Sequence, residues 1–384
     1  MKVVSVQVHL VALPTRREHN WASKMTTPIG RHVIVELLTD EGISGWGEAP
    51  AGATWGGSQM RYYGETSETV RHVVLDYLVP AIEGCDPLDI GIVHRRMDAV
   101  IKGHPYAKAA LDMACYDAAG KALQVSASAL LGGRLRDGMA VAHSLGIMSL
   151  ERCYDEAEIA VAEGARTIKC KTGLDPERDV TIVRELRRRL GDDIKIRVDG
   201  NEAYASVNEA VDVTRRQEEF DLLLCEQPVA GAVGLSRVAA RISSPVMADE
   251  SAWTMEDIIE LDALEAAACF SCYVTKPGGL YRARQQAELA ERLGMYCDIG
   301  GSIETGIGNA ANLQLGTSLA NATLPSVCPV SQPAGSGGPT TAGVYYLDDL
   351  IVEPFEFRDG VVLAPTGPGL GVEVDRQKIE RYSQ

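Results

Sequence analysis

The sequence contains no apolar run that approaches the roughly 20 residues needed to cross a membrane as a helix. It is also short of positive charge, because 37 lysines and arginines stand against 53 aspartates and glutamates, a formal net charge of −16. Nucleic acids and anionic membranes both need a basic binding face, so we expect neither as a partner. Residues 1–15 alternate like a strand and lack a long apolar segment, and we therefore expect no signal peptide.

The nine cysteines show no spacing with histidine that suggests a zinc site. Several of them, including Cys170, Cys225 and Cys297, lie in apolar segments, where a thiol behaves as a small buried hydrophobic group. Scattered thiols in odd number are typical of a reducing compartment, which predicts a cytoplasmic protein. With 46% hydrophobic and 23% charged residues, the 384-residue chain can bury an ordinary core and fits one large barrel plus a smaller domain.

The first third of the chain has the pattern of a small α+β domain. Apolar and polar residues alternate in three segments, the last two of which flank the turn Asp40-Glu41-Gly42, so a strand and an antiparallel hairpin are predicted. Strands followed by helices are typical of an α+β fold, and we expect this domain to cover residues 1–128. The predicted strands are 2–13, 31–38 and 43–48, and the predicted helices are 65–82 and 107–123.

From about residue 138, short β-branched apolar segments alternate with amphipathic helical stretches. Repeating strand–helix units of this kind indicate an α/β protein with a parallel barrel. Glycine- and proline-rich residues 332–343 follow the last strand in place of a helix, which predicts a modified TIM barrel of the type (β/α)7β. The eight predicted strands are 141–146, 167–171, 194–199, 222–226, 245–249, 272–276, 295–299 and 326–330.

We expect the barrel domain to cover residues 129–345 and to carry the metal and the catalytic lysines. Residues 346–384 form the remaining segment. Its strand-like pieces, 350–363 and 371–375, are expected to return to the first domain.

Three consecutive predicted strands end in a carboxylate, at Asp199, Glu226 and Asp249. Their separations of 27 and 23 residues each correspond to one strand–helix unit. Neighbouring parallel strands lie roughly 4.8 Å apart, so three such groups can share one ion. Carboxylates without histidine or cysteine suit Mg²⁺, or Mn²⁺, and leave positions for substrate oxygens. One such acid alone could be a helix cap, but three in phase favour a metal site.

Lysines flank these carboxylates on both sides. Lys169 and Lys171 end the second predicted strand and point to the same side, where a buried ammonium needs an anionic partner. Two adjacent cations lower each other's pKa, as does a nearby metal ion, which moves a lysine toward duty as a general base. Lys276 ends the sixth predicted strand. We therefore expect Lys171 and Lys276 to flank a substrate from opposite faces.

The strings KCK, VDGN, CEQP, ADES and TKPGG, in this order, resemble the enolase superfamily and specifically its muconate-lactonizing subgroup. The resemblance runs over nearly the whole chain and includes Gly45–Glu48, the helix LDMACYDAAGK and the string GGSIETGIG. It implies a (β/α)7β barrel whose mouth is covered by an N-terminal capping domain through loops near 16–30 and 50–60. It also implies a small carboxylate substrate and a homo-oligomer.

By the same resemblance, Mg²⁺ is held by the three carboxylates, and an enediolate forms or is protonated next to the substrate carboxylate. Lys171 is implied as general base or acid, Lys276 as the second acid/base group, and Lys169 as electrostatic support for Lys171. The lysine in TKPGG separates the chain from the mandelate-racemase pattern, as does the absence of histidine at Asp298.

The reaction itself stays open at this point. Residues 54–58 look like the capping loop of muconate cycloisomerases, which makes a muconate-type cycloisomerase the first expectation. That family carries a glutamate at the end of strand eight, whereas 327–332 contain no acid. The alternatives are a racemase or epimerase of N-acylamino acids, dipeptides or proline derivatives, and a dehydratase of a hydroxy acid or hydroxyproline. Candidate substrate contacts are Trp55, Asn201, Asp298 and Glu304.

Two further alternatives belong to other classes of protein. A non-catalytic barrel could bind a carboxylate ligand, but binding alone needs no lysine on each face. A Schiff-base aldolase would use one lysine, and the three clustered carboxylates would then have no role.

Overall fold

The computed structural model of the chain describes residues 1–21, 29–57, 62–301 and 303–384. Parts of both loops expected to cover the mouth therefore fall outside the described residues. Within the described residues, no helix is both long and apolar enough to cross a membrane.

The N-terminal domain is an antiparallel three-stranded sheet, in the order β1-β2-β3, packed against helices. Its strands are β1 (Val3–Ala12), β2 (Arg31–Thr39) and β3 (Ser44–Pro50), as the alternating pattern predicts. A π-helical turn at Val74–Leu78 interrupts the first predicted helix. The helices are α1 (Ser67–Val73), α2 (Val79–Ile82), α3 (Ile90–Val100), α4 (Pro105–Leu123) and α5 (Ala127–Leu130).

Helix α3 was not predicted. Its buried positions are Val93, His94 and Met97, which share one helix face, while the charged residues Arg95 and Arg96 are exposed. The buried stripe is short, and the exposed apolar residues Ile92 and Val100 lie outside it, so the helical pattern of this segment does not stand out in the sequence.

Helix α4 lies directly on β3, because β3 has no side chain at two positions. A Cβ atom at Gly45 would stand 2.0 Å from the carbonyl oxygen of Ala114, and one at Gly47 would stand 1.9 Å from that of Ala110. Any side chain there would have to push the helix away from the sheet. The glycines of the string GWGE and the alanines of α4 together allow the helix to pack closely on the strand.

The barrel follows the N-terminal domain and consists of parallel strands alternating with helices, with β4 (Gly138–Ala140) just before it. Its seven strands pair in the order β11-β10-β9-β8-β7-β6-β5. The strands are β5 (Ala142–Ser144), β6 (Thr167–Lys171), β7 (Lys195–Asp199), β8 (Leu222–Glu226), β9 (Val246–Ala248), β10 (Cys269–Cys272) and β11 (Tyr296–Ile299). The helices are α6 (Leu150–Ala162), α7 (Pro176–Leu190), α8 (Val207–Glu218), α9 (Ala232–Ala239), α10 (Met255–Ala263), α11 (Leu280–Arg292) and α12 (Gly306–Ser318).

The predicted eighth strand at 326–330 is wrong as a regular strand, although its place in the barrel is filled. Ser326 forms an isolated bridge with Val141, and the Val327 N–H donates to the Ile299 carbonyl at 3.0 Å. The segment thus closes the gap between β5 and β11. Pro325 and Pro329 flank it, and a proline cannot donate to a strand ladder, so pairing stops after a few bonds.

The sixth predicted strand was placed about three residues too late. Strand β10 ends at Cys272, and Lys276 lies in the turn that connects it to α11. The error arose because Tyr273 and Val274 continue the apolar, β-branched pattern beyond the last ladder bond. Lys276 is still carried at the same end of the sheet as the other strand ends.

The C-terminal segment divides its contacts between the barrel and the N-terminal domain. Strands β12 (Phe357–Arg358) and β13 (Val361–Leu363) extend a small sheet from β4, not from the N-terminal sheet as expected. Helix α13 (Arg376–Tyr382) instead reaches the N-terminal sheet, where Arg376 forms an ion pair with Glu36 of β2. The domain limits at 128 and 345 stay predictions.

Two buried carboxylates of the N-terminal domain cap helices of the barrel. Glu48 of β3 accepts hydrogen bonds from the Thr305 N–H at 2.8 Å and the Gly308 N–H at 2.7 Å, at the start of α12. Asp112 of α4 accepts one from the Leu280 N–H at 2.6 Å, at the start of α11. Anionic groups at helix N-termini satisfy free N–H groups and oppose the positive end of the helix dipole.

Gly47→Ala tests the contact between α4 and β3. The added methyl group would overlap the Ala110 carbonyl, so we expect the free energy of unfolding to fall by about 1–3 kcal/mol, the usual range for overpacking. Urea denaturation followed by circular dichroism measures it. Gly91→Ala is the matched control, because a Cβ atom there meets only the Tyr281 hydroxyl at 3.4 Å. Equal stability of the two variants would contradict this packing.

Candidate active site

The carboxyl ends of β6, β7, β8 and β9 lie level with one another. Lys171 pairs with Asp199, and Asp199 pairs in turn with Glu226. Glu226 pairs with Met247, two residues before Asp249. Because side chains alternate along a strand, the predicted residues come to one layer at the barrel mouth.

The three predicted metal ligands form one cluster. One oxygen from each of Asp199, Glu226 and Asp249 lies within 4.8 Å of the others, and all three side chains are buried. Asp249 also lines the cavity described below, and its Oδ2 accepts no hydrogen bond from the described residues. Three hard oxygen donors with a free lone pair directed at a cavity suit Mg²⁺ or Mn²⁺. The residues therefore fit a divalent cation.

Lys169 is held as a cation by two of these carboxylates. Its Nζ lies 2.9 Å from Asp199 and 2.8 Å from Glu226. Burial alone would lower the pKa of Lys169, but both carboxylates outweigh burial and raise it well above its ordinary value. Burial likewise acts to raise the pKa of Asp199, yet Lys169 and Lys171 hold it well below its usual range. This arrangement favours the supporting role predicted for Lys169 over proton transfer.

Lys171 is oriented by a short chain of hydrogen bonds. Its Nζ donates to Asp199 at 2.6 Å and to Asn201 Oδ1 at 2.8 Å. Asn201 Nδ2 donates in turn to Glu250 Oε1 at 2.8 Å. Asn201 adopts φ of +42°, a left-handed conformation that asparagine tolerates better than most residues. The predicted substrate residue Asn201 is thus occupied in positioning Lys171.

Lys276 is held from the other side. It donates to the carboxylate of Asp249 and, at 2.7 Å, to the carbonyl of the same residue. The ring of Tyr273 lies 4.0 Å from its Nζ, and the rings of Trp55 and Trp253 lie 5.8 and 5.9 Å away. Aromatic faces attract an ammonium group and limit its movement. Three rings around one lysine therefore define its position closely.

Strand order places the two acid/base candidates on opposite sides of the carboxylates. Lys171 ends β6 and Lys276 follows β10, while β7, β8 and β9 lie between them and carry the three acids.

An aromatic cavity opens above this cluster and encloses about 570 Å³, part of it open to solvent. Lys169, Lys171 and Asp249 line its floor, so the cavity and the carboxylate cluster form one site. Its remaining lining residues are His19, Trp21, Pro50, Gly52, Trp55, Tyr106, Ser144, Tyr273, Gly301, Ile303, Val327 and Tyr345. An apolar cleft with a few convergent polar groups is typical of a small-molecule site.

The predicted substrate contacts separate into two groups. Trp55 lines the cavity as expected. Asp298 lies inside the barrel, where Arg197 Nη1 approaches it to 2.8 Å and Ser271 Oγ donates to it at 2.8 Å, so both of its oxygens are occupied. Glu304 is buried beside α12 and is not among the described residues that line the cavity. The predicted substrate contacts of Asp298 and Glu304 are not supported by these positions.

Several lining residues were missed from the sequence. His19 and Trp21 fall within the loop predicted to cover the mouth, but no pattern distinguishes them from their neighbours. Tyr273 and Tyr345 come together only through the fold, since one follows β10 and the other lies in the C-terminal part of the barrel region. Single aromatic residues in irregular segments carry no periodic signal.

Comparison with known proteins agrees with this geometry. Residues 5–132 match the N-terminal domain of the mandelate racemase/muconate lactonizing enzyme family, and 152–378 match the enolase C-terminal domain-like family. This chain belongs to the mandelate racemase/muconate lactonizing enzyme family. The resemblance drawn from the sequence motifs is thereby confirmed, as is the capped modified TIM barrel.

Members of this family with different activities are similar to the chain. An N-succinyl-L-Arg/Lys racemase of Bacillus cereus is 31% identical over 82% of this chain and 84% of the racemase. Muconate cycloisomerase 1 of Rhodococcus opacus is 30% identical over 100% of this chain and 99% of that protein. The crystal structure of the Bacillus cereus racemase matches with a TM-score of 0.90 at 27% identity, over 100% of this chain and 98% of that structure.

Metal binding can be measured without knowledge of the substrate. We expect isothermal titration of the chelator-treated protein with Mg²⁺ to show one site, and Glu226→Gln to weaken it at least 10-fold because one anionic ligand is lost. The exposed Glu291→Gln is the control and should bind as the wild type does. Full affinity in a correctly folded Glu226→Gln variant would exclude the carboxylate cluster as the site.

Proposed function

We propose that this family member is a Mg²⁺-dependent racemase of N-acylated amino acids, with Lys171 and Lys276 as its two acid/base groups. The observation that carries the proposal is the placement of these lysines on the two sides of the strands that hold Asp199, Glu226 and Asp249. With one such group on each face, one can take a proton from a carbon atom while the other delivers a proton to its opposite face. The similarity to the Bacillus cereus racemase supports the same reaction type.

The reaction needs two proton transfers at one carbon atom. The lysine on one face, in its neutral form, takes the α proton, and the electron pair of the C–H bond moves into the adjacent carboxylate. The ammonium group of the opposite lysine then delivers a proton to the other face of that carbon atom. Mg²⁺ bound by the three carboxylates would supply positive charge that stabilises the developing negative charge, an effect worth several kcal/mol.

Lys169 and the aromatic rings around Lys276 have two further effects on the proposed reaction. Lys169 stays charged beside Asp199 and Glu226 and offsets their repulsion of an anionic substrate. The rings of Tyr273 and Trp55 exclude water from the side of Lys276, so that proton exchange with solvent occurs mainly between turnovers.

The residues that line the cavity wall favour racemisation over the muconate cycloisomerisation that the sequence first suggests. Val327 lines the cavity in the segment where that group of enzymes carries a glutamate, and it can neither accept nor donate a proton. Muconate carries a second carboxylate, yet the described cations of the lining, Lys169 and Lys171, already pair with Asp199 and Glu226. Lys24 and Arg61 lie outside the described residues. The Bacillus cereus relative is named for N-succinyl compounds, whose acyl group carries a second carboxylate, and it therefore supports the reaction type and not the acyl group. Because the described wall offers no unpaired cation, an uncharged acyl group fits it better than a second carboxylate.

Muconate cycloisomerisation is the second candidate, because the similarity to muconate cycloisomerase 1 covers the whole chain. Protonation of an enolate needs only one of the two lysines. Dehydration of a hydroxy acid would need a leaving group beside the α carbon and stays a third alternative. A cytoplasmic location and a homo-oligomer also stay predictions.

Proton NMR in D₂O with Mg²⁺ tests the proposal on N-acetyl derivatives of apolar amino acids, with cis,cis-muconate in parallel. We expect α-deuterium in the wild-type reaction and inversion of either enantiomer. Lys171→Ala and Lys276→Ala should each lower racemisation by about 10²–10⁴-fold, as is typical for loss of a general acid or base. Each variant should still exchange the α proton of one enantiomer, and the two variants should act on opposite enantiomers. Lys195→Ala, at an exposed position, is the control.

Four results would contradict the proposal. Racemisation at the wild-type rate by Lys276→Ala would remove the second base. Lactone formation from muconate without exchange of any amino-acid derivative would establish the cycloisomerase instead. Binding without exchange by the wild type would favour a non-catalytic protein, and trapping of a lysine adduct by borohydride would favour the aldolase.

A further inference from the structure

His19 occupies a distinct place in the cavity wall. It lies in the segment that leaves β1, lines the cavity together with Lys169 and Lys171, and is only 6% exposed. Its ring meets the ring of Tyr345 edge-on at 4.8 Å between centroids. The imidazole is therefore held in a fixed orientation next to the proposed acid/base group.

Arg17 determines which ring nitrogen of His19 carries the proton. Arg17 Nη1 lies 3.1 Å from His19 Nδ1. A guanidinium group has only donors, so Nδ1 must accept and the single ring proton resides on Nε2. This assignment follows from the partner and needs no observed hydrogen position.

Arg17 is itself immobilised. Its Nη2 donates to the Leu145 carbonyl at 2.6 Å and to Glu156 at 2.7 Å, and its Nε donates to the same carboxylate at 2.7 Å. These bonds tie the guanidinium to the barrel through β5 and α6. The tautomer of His19 is therefore built into the fold and does not depend on a ligand.

The two ring nitrogens of His19 have different surroundings. Its Nδ1 edge is turned toward Gly146, where a Cβ atom would stand 3.2 Å from Nδ1. Nε2 makes no hydrogen bond with the described residues, and unlike the indole nitrogens of Trp21 and Trp55 it is not enclosed by protein. Because His19 lines the cavity, its Nε2–H is a side-chain donor at the cavity wall that the described residues leave unused.

This donor carries no charge. Burial lowers the pKa of His19 well below its usual value, and the cations Arg17 and Lys171 lower it further. Glu156 acts in the opposite direction but is already paired with Arg17. A neutral N–H group offers a carbonyl oxygen a full hydrogen bond, whereas it cannot offset the cost of burying a second carboxylate.

We propose that His19 is a specificity residue that donates its Nε2–H to the uncharged acyl carbonyl oxygen of an N-acylamino acid. This inference rests on the proposed racemase function and names its substrate class more closely. The carboxylate of the substrate would be attracted by the lysines and by the cation that Asp199, Glu226 and Asp249 would hold, while its acyl carbonyl accepts the hydrogen bond from His19.

A pair of substrates and a pair of variants test the inference. N-acetyl and N-thioacetyl derivatives of the same amino acid differ in one atom, and sulfur is a much weaker acceptor than oxygen. His19→Phe keeps a ring but loses the donor, and His19→Gln replaces it with an amide N–H. We expect His19→Phe to lower kcat/KM for the N-acetyl substrate about 2–10-fold more than for the thioacetyl substrate, the range for one hydrogen bond. We expect His19→Gln to restore part of that difference.

The outcomes separate the inference from the function on which it rests. Equal losses on both substrates would show that His19 only supports the wall and would overturn its proposed role. His72→Phe, at an exposed histidine, is the control for substitution as such. Failure of the wild type to exchange any N-acylamino acid would instead overturn the racemase.

Nitrogen-15 NMR reads His19 without turnover. The chain has seven histidines, and comparison with His19→Gln identifies the signals of His19. We expect a neutral ring protonated at Nε2, and a shift of that resonance when the N-acetyl compound is added with Mg²⁺. A ring protonated at Nδ1, or an Nε2 signal unaffected by a compound that binds, would overturn the proposal.

Discussion

The structure depends on the compensation of charge at the carboxyl ends of β7, β8 and β9. Three buried carboxylates within 4.8 Å of one another repel strongly in a medium of low polarity, and an uncompensated buried charge costs several kcal/mol. Ammonium groups on both sides offset this repulsion. They belong to Lys169 and Lys171 on β6 and to Lys276 after β10. These lysines lower the cost of burying the three acids, and two of them, Lys171 and Lys276, are also the groups proposed to transfer protons. The stability of the site and its chemistry therefore depend on the same charges.

The N-terminal domain supports the elements that follow Lys276 and β11 by capping their helices. Asp112 of α4 caps the helix that follows the Lys276 turn, and a Cβ atom at Gly279 would stand 2.2 Å from the Asp112 carboxyl carbon. Close approach of the two domains therefore requires glycine at that point of the turn, where φ is +131°. Glu48 caps α12 in the same way. Strings that look unrelated along the sequence, such as GWGE and TGIG, are thus two sides of one contact.

The cluster of carboxylates at the strand ends could be predicted from the sequence, because the position of a strand end in a parallel barrel is fixed by the fold. Parallel strands point their carboxyl ends to one mouth, so the spacing of Asp199, Glu226 and Asp249 was enough to bring them together. Lys276 was placed on a strand, since Tyr273 and Val274 prolong the apolar pattern although the ladder ends at Cys272. The ion pair of Asp298 with Arg197 could not be foreseen either, because depth within the barrel is not encoded in strand alternation. The cavity wall is built from irregular segments, whose residues carry no periodic signal in the sequence. The proposed role of His19 depends on its contact with Arg17, and Arg17 is held in place by hydrogen bonds to Leu145 after β5 and Glu156 of α6.

The most direct test of proton transfer between two opposed lysines is the fate of deuterium in the first turnovers of the wild-type enzyme. An N-acetyl amino acid of one configuration is incubated in D₂O with Mg²⁺, and both enantiomers are isolated at low conversion and analysed by mass spectrometry. Two opposed lysines predict that the product enantiomer carries deuterium at the α carbon almost completely, because its proton comes from the lysine on the far face. Product that retains the original proton as often as the recovered substrate does would mean that one group serves both faces, and would contradict the account.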